Sequence, residues 1–594
     1  MYMITFDQIL VYLVILFIFI SLYWDLIRPG FTFILGVSVL GVFQVLSPKE
    51  VLAGMANEQI MVILLLLVIG DTFRQTSVLD ILFDGVFKET KTYKGFISKM
   101  FLIIAPLSAF LNNTPLVALM MPYAHTWSKK NKVSISKLLI PLSYAAILGG
   151  CITLIGTSTN LIVNGLVVDQ KIVHELPELN MFDFFWVGFP MLIIGFVYIL
   201  LFGNKLLPNR ENVIETFESH QREYIVETQI KAGSPLNGKT ITEAKLRNLE
   251  GLYLFRIIRN DRYLMAEPNE TILREKDVLM FTGDTAAISN IVQKNPSIEI
   301  PSVGMFTKKD KTDIIEIVVS HNSSMINKTL KEENFRAKYD ATAIAIHRNG
   351  ERLSGKIGLV NLKAGDTILL LAGADFKNLM NVTKDFYTIS RPRELNKLGN
   401  FRTSLLIGGT ILVILLAALK ITSLFMGLVV FISVLVAAGI TTPKKISRNI
   451  DYQLGIVIVM ALALGHAMIK TNVAENFAQI LIQVFEPFGN VGLLIGIYLI
   501  TSLLAAFVTN VAAVAIIFPI SLTLASDLNL PFLPFILVVS FAAAANFMTP
   551  IGYQTNIMVY GPGGYKFRDY LKIGTPLTII YMIVTITILS IFYL

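Results

Sequence analysis

Asn112-Asn-Thr-Pro-Leu-Val-Ala-Leu-Met-Met-Pro122 and Thr509-Asn-Val-Ala-Ala-Val-Ala-Ile-Ile-Phe-Pro519 are uncharged stretches in which an asparagine precedes a proline by nine positions. A Thr-Asn pair follows each of them, ending 47 positions after Asn113 at Asn160 and 46 positions after Asn510 at Asn556. An earlier mark keeps the register: Gly70-Asp71 with Thr76 recurs as Gly465-His466 with Thr471, an offset of 395 against 397 for Asn113/Asn510 and 396 for Asn160/Asn556. Unrelated hydrophobic segments do not hold such spacing. The chain therefore reads as two copies of one polar-tipped unit, and internal duplication of this kind is characteristic of secondary transporters.

Composition points the same way. Of 594 residues, 54% are hydrophobic and 15% charged, and the mean hydropathy is +0.64, far from a soluble globular average. Apolar runs such as Ile9 to Tyr23, Met181 to Phe202, Ser404 to Leu419 and Thr575 to Leu594 are long enough, or nearly so, to cross a bilayer. Roughly ten to twelve spans are expected. The start, Met1-Tyr-Met-Ile-Thr-Phe-Asp, has no basic region, so Ile9 to Tyr23 is expected to be a retained helix and not a cleaved signal. Cys151 is the single cysteine, which excludes an intrachain disulfide.

The formal net charge is +8, carried by loop clusters such as Lys88, Lys91, Lys94 and Lys99, then Lys129, Lys130, Lys132 and Lys137, and later Lys444, Lys445 and Arg448. Loop-borne lysine is a topology signal that places these loops in the cytoplasm, and it leaves no need for a nucleic-acid partner. From about Lys205 to about Asn400 the sequence turns charged and alternating. The expected organisation is a membrane repeat over 1–204, a cytosolic insert over 205–400 with lobes at about 220–295 and 310–385, and a second membrane repeat over 401–594. The insert is itself duplicated at an offset of 89: Lys239-Thr240 recurs as Lys328-Thr329, Arg259-Asn260 as Arg348-Asn349, and Asp277 as Asp366.

Gly233-Ser-Pro-Leu-Asn-Gly-Lys-Thr240 satisfies the GxxxxGK[ST] phosphate-loop pattern, with a strand expected before it and a helical segment after it. The duplication speaks against nucleotide binding. The second copy has Asn322 and Asn327 where the first has Gly233 and Gly238, so the same turn is built without the glycines that let amides wrap a phosphate. These lobes resemble TrkA-C domains, the C-terminal lobes of potassium-conductance regulators, through Ser234-Pro-Leu-Asn-Gly-Lys-Thr240 and Gly365-Asp-Thr-Ile-Leu-Leu-Leu371. The resemblance implies ligand sensing or dimer stabilisation, with a small cytosolic ligand such as a cyclic dinucleotide; a purely structural insert is the alternative.

The stretches Phe101 to Ser128, Leu138 to Val168, Phe488 to Ser526 and Pro531 to Tyr565 contain no Asp, Glu, Lys or Arg. They nevertheless hold Asn112, Asn113, Thr114, Thr157, Ser158, Thr159, Asn160, Thr509, Asn510, Gln554, Thr555 and Asn556. Unpaired polar groups are costly in lipid, so two such sets in register are expected to face each other or a hydrated cavity. Nearby Pro115, Pro122, Gly149, Gly150, Gly156, Pro550 and Gly552 fit re-entrant hairpins and broken helices, whose free amides take anions and free carbonyls take cations. A divalent anion entering a site without Arg or Lys needs its charge offset, and sodium held by Asn side chains and carbonyls supplies it. The fold expected is an α-helical polytopic membrane protein with two inverted repeats, re-entrant hairpins and broken helices, plus an inserted α+β tandem domain.

Taken together, Asn112-Asn-Thr114 running to Met121-Pro122, Tyr144-Ala-Ala-Ile-Leu-Gly-Gly150 running to Gly156-Thr-Ser-Thr-Asn160, Thr509-Asn-Val511, and Phe547-Met-Thr-Pro-Ile-Gly-Tyr-Gln-Thr-Asn556 resemble the divalent anion:sodium symporter family. The resemblance implies a first sodium site on Ser108, Asn112, Asn113 and Gly156 and a second on Ala505, Val508, Asn510 and Gly552. It implies substrate contacts on Asn113, Thr114, Thr157, Asn510 and the hairpin tips; Asn112, Ser158, Thr509, Gln554 and Thr555 complete the expected anion site. It also implies a homodimer working as an elevator in the cell membrane. Asn112, Val511 and Ala505 depart from the family's serine, threonine and hydroxyl residues, and Thr157-Ser-Thr159 and Tyr553-Gln-Thr555 stand where Thr-Pro-Pro is usual. Losing a hydroxyl at Val511 favours a compact oxyanion over a dicarboxylate.

A sodium-coupled symporter of a divalent oxyanion, with sulfate favoured, is thus the leading expectation, and no enzymatic activity is expected. A dicarboxylate or tricarboxylate carrier is the nearest alternative. A ligand-gated anion channel with the lobes as gate, and an ATP-driven transporter using Lys239, are the others. Asp71 and His466 are expected to be solvated helix ends.

Overall fold

In a computed structural model, the described residues are 5–594 except 25, 77, 88, 171, 174–175, 211–224, 247–248, 250–251, 261, 266–269, 284–297, 300–313, 322, 350, 354–356, 374–375, 377–378, 380–384 and 390–397. The first half runs α1 (Phe6–Tyr23), α2 (Pro29–Val42), α3 (Pro48–Leu52), α4 (Glu58–Gln75), α5 (Val78–Phe87), α6 (Tyr93–Ser108), α7 (Asn113–Asn131), α8 (Leu139–Gly150), α9 (Ser158–Asp169) and α10 (Phe185–Tyr198). The last part runs α11 (Asn400–Ala418), α12 (Leu424–Ala437), α13 (Pro443–Asn449), α14 (Tyr452–Lys470), α15 (Val473–Phe485), α16 (Gly489–Phe507), α17 (Asn510–Asp527), α18 (Phe532–Ala544), α19 (Gln554–Tyr560) and α20 (Phe567–Tyr593). Matched in order, the first nine pairs begin 393 to 397 positions apart. The spacing of the polar marks is thus the spacing of the helices.

Side-chain caps start many of these helices. Thr5 and Ser47 form capping boxes with Gln8 and Glu50, Asn57 and Thr92 cap α4 and α6, and Ser423, Thr442 and Asp451 cap α12, α13 and α14. Each takes up an amide that the helix cannot pair internally. Among the described residues seven helices are long and apolar enough to cross a membrane, or eight if the bent pair Pro48–Ala56 and Glu58–Gln75 is one span. That is fewer than ten to twelve, because much of the apolar sequence goes into shorter helices such as α2, α8, α12 and α18. α8, of 12 residues, reaches only about 18 Å at 1.5 Å per residue. Large apolar side chains such as Trp186, Ile193 and Leu201, or Phe401, Ile411 and Leu415, point outward, as a lipid-facing surface requires.

Two five-stranded sheets lie between the helical halves. Strands β1 (Ile225–Ile230), β2 (Leu252–Arg259), β3 (Arg262–Met265), β4 (Val278–Gly283) and β5 (Ile298–Glu299) form one; β6 (Ile314–Val319), β7 (Ala341–Arg348), β8 (Glu351–Arg352), β9 (Thr367–Ala372) and β10 (Phe386–Thr388) form the other. The orders β3-β2-β4-β1-β5 and β10-β6-β9-β7-β8 are the same path read from opposite edges. Even the bulge recurs, between Leu254 and Arg256 and between Ala343 and Ala345. Arg259 grips Asp277 at 2.7 Å in the first lobe and Arg348 grips Asp366 at 2.7 Å in the second. Phe255, Ile258, Val278 and Met280 of the first pack with Ile314, Ile344, Leu369 and Leu371 of the second in one apolar cluster.

The phosphate-loop lookalike is a turn in an all-antiparallel sheet. No helix follows it among the described residues before β2; the expected helical segment is a turn. Its amides are already used: Gly233 N donates to Glu275 Oε1 at 2.9 Å, Gly238 N to Leu273 O at 2.9 Å and Thr240 N to Glu243 Oε2 at 2.8 Å. Gly238 has φ +83° and Asn327 adopts φ 61° at the matching place, so the left-handed turn is kept without glycine. Asn322 lies outside the described residues.

Burial pushes the Glu316 carboxyl, on β6, up to about 8 from 4.5. The folded state then holds a proton that the unfolded chain gives up, so stability falls as pH rises from about 4.5 to about 8 and is level above. Hydrogen exchange at β6, corrected for intrinsic rate, is expected to be faster at about pH 8 than at about pH 5 in the intact protein. In Glu316→Gln that difference should vanish; its persistence would assign the slope to another group.

Candidate anion and cation site

The polar marks sit at helix breaks. α6 ends at Ser108, and α7 restarts at Asn113 with Asn112 as its cap, the Asn112 side chain accepting from Thr114 N at 3.0 Å. α16 ends at Phe507, and α17 restarts at Asn510 with Thr509 as its cap, Thr509 Oγ1 accepting from Ala512 N at 3.1 Å. α8 stops at Gly150 and α9 starts at Ser158, while α18 stops at Ala544 and α19 starts at Gln554. The two breaks are built alike. Thr153 Oγ1 is bonded to Ala109 O and accepts from Gly156 N at 3.1 Å; Thr549 Oγ1 donates to Ala506 O at 2.9 Å and accepts from Gly552 N at 3.1 Å.

The halves meet at these breaks. Asn113 Nδ2 donates to Tyr553 OH at 2.7 Å, and the same phenol lies 3.0 Å from Thr157 Oγ1. Thr114 Oγ1 donates to Gln554 Oε1 at 3.1 Å. Ser143 Oγ reaches Thr555 Oγ1 at 2.8 Å and Asn556 Oδ1 at 2.7 Å, and Ser540 Oγ, 397 positions on, donates to Asn160 Oδ1 at 2.8 Å. A serine of each half thus holds the amide of the other half's broken helix. Asn113, Thr157 and Tyr553 are buried, whereas Thr114 is half-buried and Gln554 exposed. The cluster has a deep floor and an open rim.

Ser108, Asn113 and Gly156 come together in the first half. Ser108 Oγ is bonded to Asn113 Oδ1 and lies 2.8 Å from Ala146 O. One hydroxyl proton cannot serve both oxygens, so an oxygen-rich pocket remains that suits a hard cation. In the second half a Cβ built on Gly552 would lie 3.0 Å from Ala505 O, and Asn510 Oδ1 is buried without a hydrogen-bond partner among the described residues. Val508 lies in the break itself. Ser158 opens α9, half-buried. Among the described residues no group of three or more His, Cys, Asp or Glu could hold a metal ion; these pockets offer neutral oxygens.

Ser143, Ser540 and Asn546 escaped the sequence reading, which noted Tyr553 only as a departure from the usual Thr-Pro-Pro. Ser143 and Ser540 share the 397 offset, a signal that was present and unread. Asp71 and His466 are not solvated helix ends. Asp71 is 8% exposed and paired with Arg74, and His466 Nε2 lies 3.2 Å from Asp169 Oδ2. Helix packing buries Asp71 and half-buries His466, and an ionisable group drawn out of water needs a partner.

Comparison with known proteins adds a lineage. The citrate transporter family, CitMHS, matches residues 14–428 and 411–594. An uncharacterized transporter of Synechocystis sp. is 32% identical over 577 residues, covering 95% of this chain and 93% of its own. An uncharacterized transporter of Escherichia coli is 26% identical, covering 92% and 93%. Sodium/sulfate cotransporter 1 of Chlamydomonas reinhardtii is 22% identical, covering 95% and 88%. With a family match across nearly the whole chain and helices long enough to span a bilayer several times, the protein belongs to the citrate transporter family and is a multi-pass membrane transporter.

Proposed function

We propose that the protein is a sodium-coupled symporter of a divalent oxyanion, with sulfate as its substrate. The observation that carries this reading is the junction at Tyr553: an amide and a hydroxyl of the first half, Asn113 and Thr157, converge on this phenol of the second, in sequence that has no Arg or Lys to neutralise a dianion. Charge compensation then falls to cations in the oxygen-lined pockets at Ser108/Asn113/Gly156 and Ala505/Val508/Asn510/Gly552. The sodium/sulfate cotransporter that matches along nearly the full length supports both the ion and the anion.

The matched helix orders support a duplication; the proposal is two inverted repeats moving by an elevator mechanism, as a homodimer in the cell membrane, with the lobes in the cytoplasm. Lobe docking supports a regulatory role: Lys566 Nζ meets Glu351 at 2.7 Å, and a Cβ on Gly561, just past α19, would lie 2.3 Å from Gly365 O. A TrkA-C-like ligand of the lobes, such as a cyclic dinucleotide, would act through that contact.

Uptake of labelled sulfate into proteoliposomes tests the proposal. It should saturate, fall roughly 100-fold when choline replaces sodium, and be competed by unlabelled sulfate better than by citrate, succinate or phosphate. Sodium-indifferent, non-saturating flux would refute it.

A further inference from the structure

Two departures from the repeat fall on one spot. Where the first half has Ser108, the second has Ala505, 397 positions on; where the first has Gly150, the second has Asn546, 396 positions on. A hydroxyl is lost and an amide gained.

In the first half the bare Gly150 faces Asn113. A Cβ there would lie 2.8 Å from Asn113 Oδ1 and 3.0 Å from Gly156 O. In the second half a Cβ on Gly552, the counterpart of Gly156, would lie 2.0 Å from Asn546 Nδ2 and 3.0 Å from Ala505 O. The Asn546 amide therefore fills the space between the α18–α19 break and the end of α16. Ser108 Oγ and Asn113 Oδ1 meet in the matching space of the first half.

Asn546 is 2% exposed. Its backbone oxygen accepts from Asn556 Nδ2 at 2.9 Å, but neither polar atom of its side chain has a hydrogen-bond partner among the described residues, and neither has Asn510 Oδ1. Buried unpaired amide atoms are rare because each costs desolvation without return, and three of them in the breaks of one half point to a ligand. The nearby Ala505 carbonyl makes the surroundings oxygen-rich, which a hard cation satisfies. The oxygen and nitrogen of an amide exchange places by a half-turn at no change in shape, so Oδ1 can take the position beside Gly552.

We propose that Asn546 Oδ1 is a ligand of the sodium ion bound in the second half, together with Asn510 Oδ1 and Ala505 O, and that it replaces the hydroxyl Ala505 lacks. This rests on the sodium-coupled reading. It explains why the second half tolerates alanine at that position: the coordinating oxygen arrives from the broken helix and not from α16.

The test is a sodium titration of the intact purified protein without sulfate, read as protection against thermal unfolding at constant ionic strength. Asn546→Gly should raise the sodium midpoint roughly tenfold, the loss of one good ligand. Adding Ala505→Ser, which rebuilds the first half's layout, should bring the midpoint back toward wild type. Asn546→Asp, which keeps an oxygen and adds charge, should lower the midpoint and stands in if the glycine variant does not fold. An unchanged midpoint in Asn546→Gly, no rescue by Ala505→Ser, or no tightening in Asn546→Asp overturns the assignment, as does a variant that weakens only sulfate. A wild-type protein with neither sodium protection nor sodium-dependent uptake fails earlier, and refutes the symporter reading itself.

Discussion

Asn113→Ala should abolish sodium-coupled uptake while leaving the protein folded. The amide ties Ser108 to Tyr553, joining the two halves across 440 positions of sequence. Removing it takes one of two partners from the Tyr553 phenol, which keeps Thr157, and one of two from the Ser108 hydroxyl, which keeps Ala146 O, at about 0.5–1.5 kcal/mol per lost hydrogen bond. It also removes the oxygen that Ser108 faces in the cation pocket. A combined loss of roughly 3 kcal/mol is about 100-fold in affinity, enough to put uptake near background. Uptake assays together with size-exclusion profiles check this. Wild-type kinetics in a monodisperse variant would remove Asn113 from the site.

Gly574→Ala should damage the fold itself. A Cβ on Gly574, in α20, would lie 2.0 Å from Phe547 O, 2.5 Å from Phe547 C and 2.9 Å from Tyr144 OH. Tyr144 OH donates to that same Phe547 oxygen at 2.7 Å. The obstacle is backbone at the α18–α19 break, which cannot swing aside as a side-chain tip would. Overpacking here should cost on the order of 3 kcal/mol and move Asn546 and Tyr553 with the strand of chain that carries them. A lower melting temperature and reduced yield are the expected readings. Gly408→Ala, where nothing lies within 4 Å of the added carbon, is the control and should be neutral or slightly stabilising.

Much of the architecture could be read from residue spacing. Offsets of 395 to 397 between polar marks anticipated helix starts 393 to 397 apart, and the offset of 89 between Arg259 and Arg348 anticipated two sheets of the same order. The glycine-to-asparagine change at position 327 rightly argued against a phosphate loop, since the amides of Gly233, Gly238 and Thr240 are spent within the lobe. Other features were hidden. Tyr553 stands in register with Thr157, and no rule of spacing says that the two should touch. Asp71 and His466 look alike in the sequence, yet Arg74 partners the one and Asp169 the other.

The sequence alone determined periodicity: which segments are apolar, where each half breaks its helices, and which neutral side chains lie at those breaks. These follow from local chemistry, because hydropathy, proline, glycine and capping residues act over a few positions. Tertiary structure alone decided the pairing across the halves, from Asn113 with Tyr553 to Ser540 with Asn160, and which amide atoms, Asn510 Oδ1 and both polar atoms of Asn546, lack a partner among the described residues. Such pairing depends on how two long apolar surfaces pack, a sum of many weak contacts spread over the chain, and no single residue records that sum.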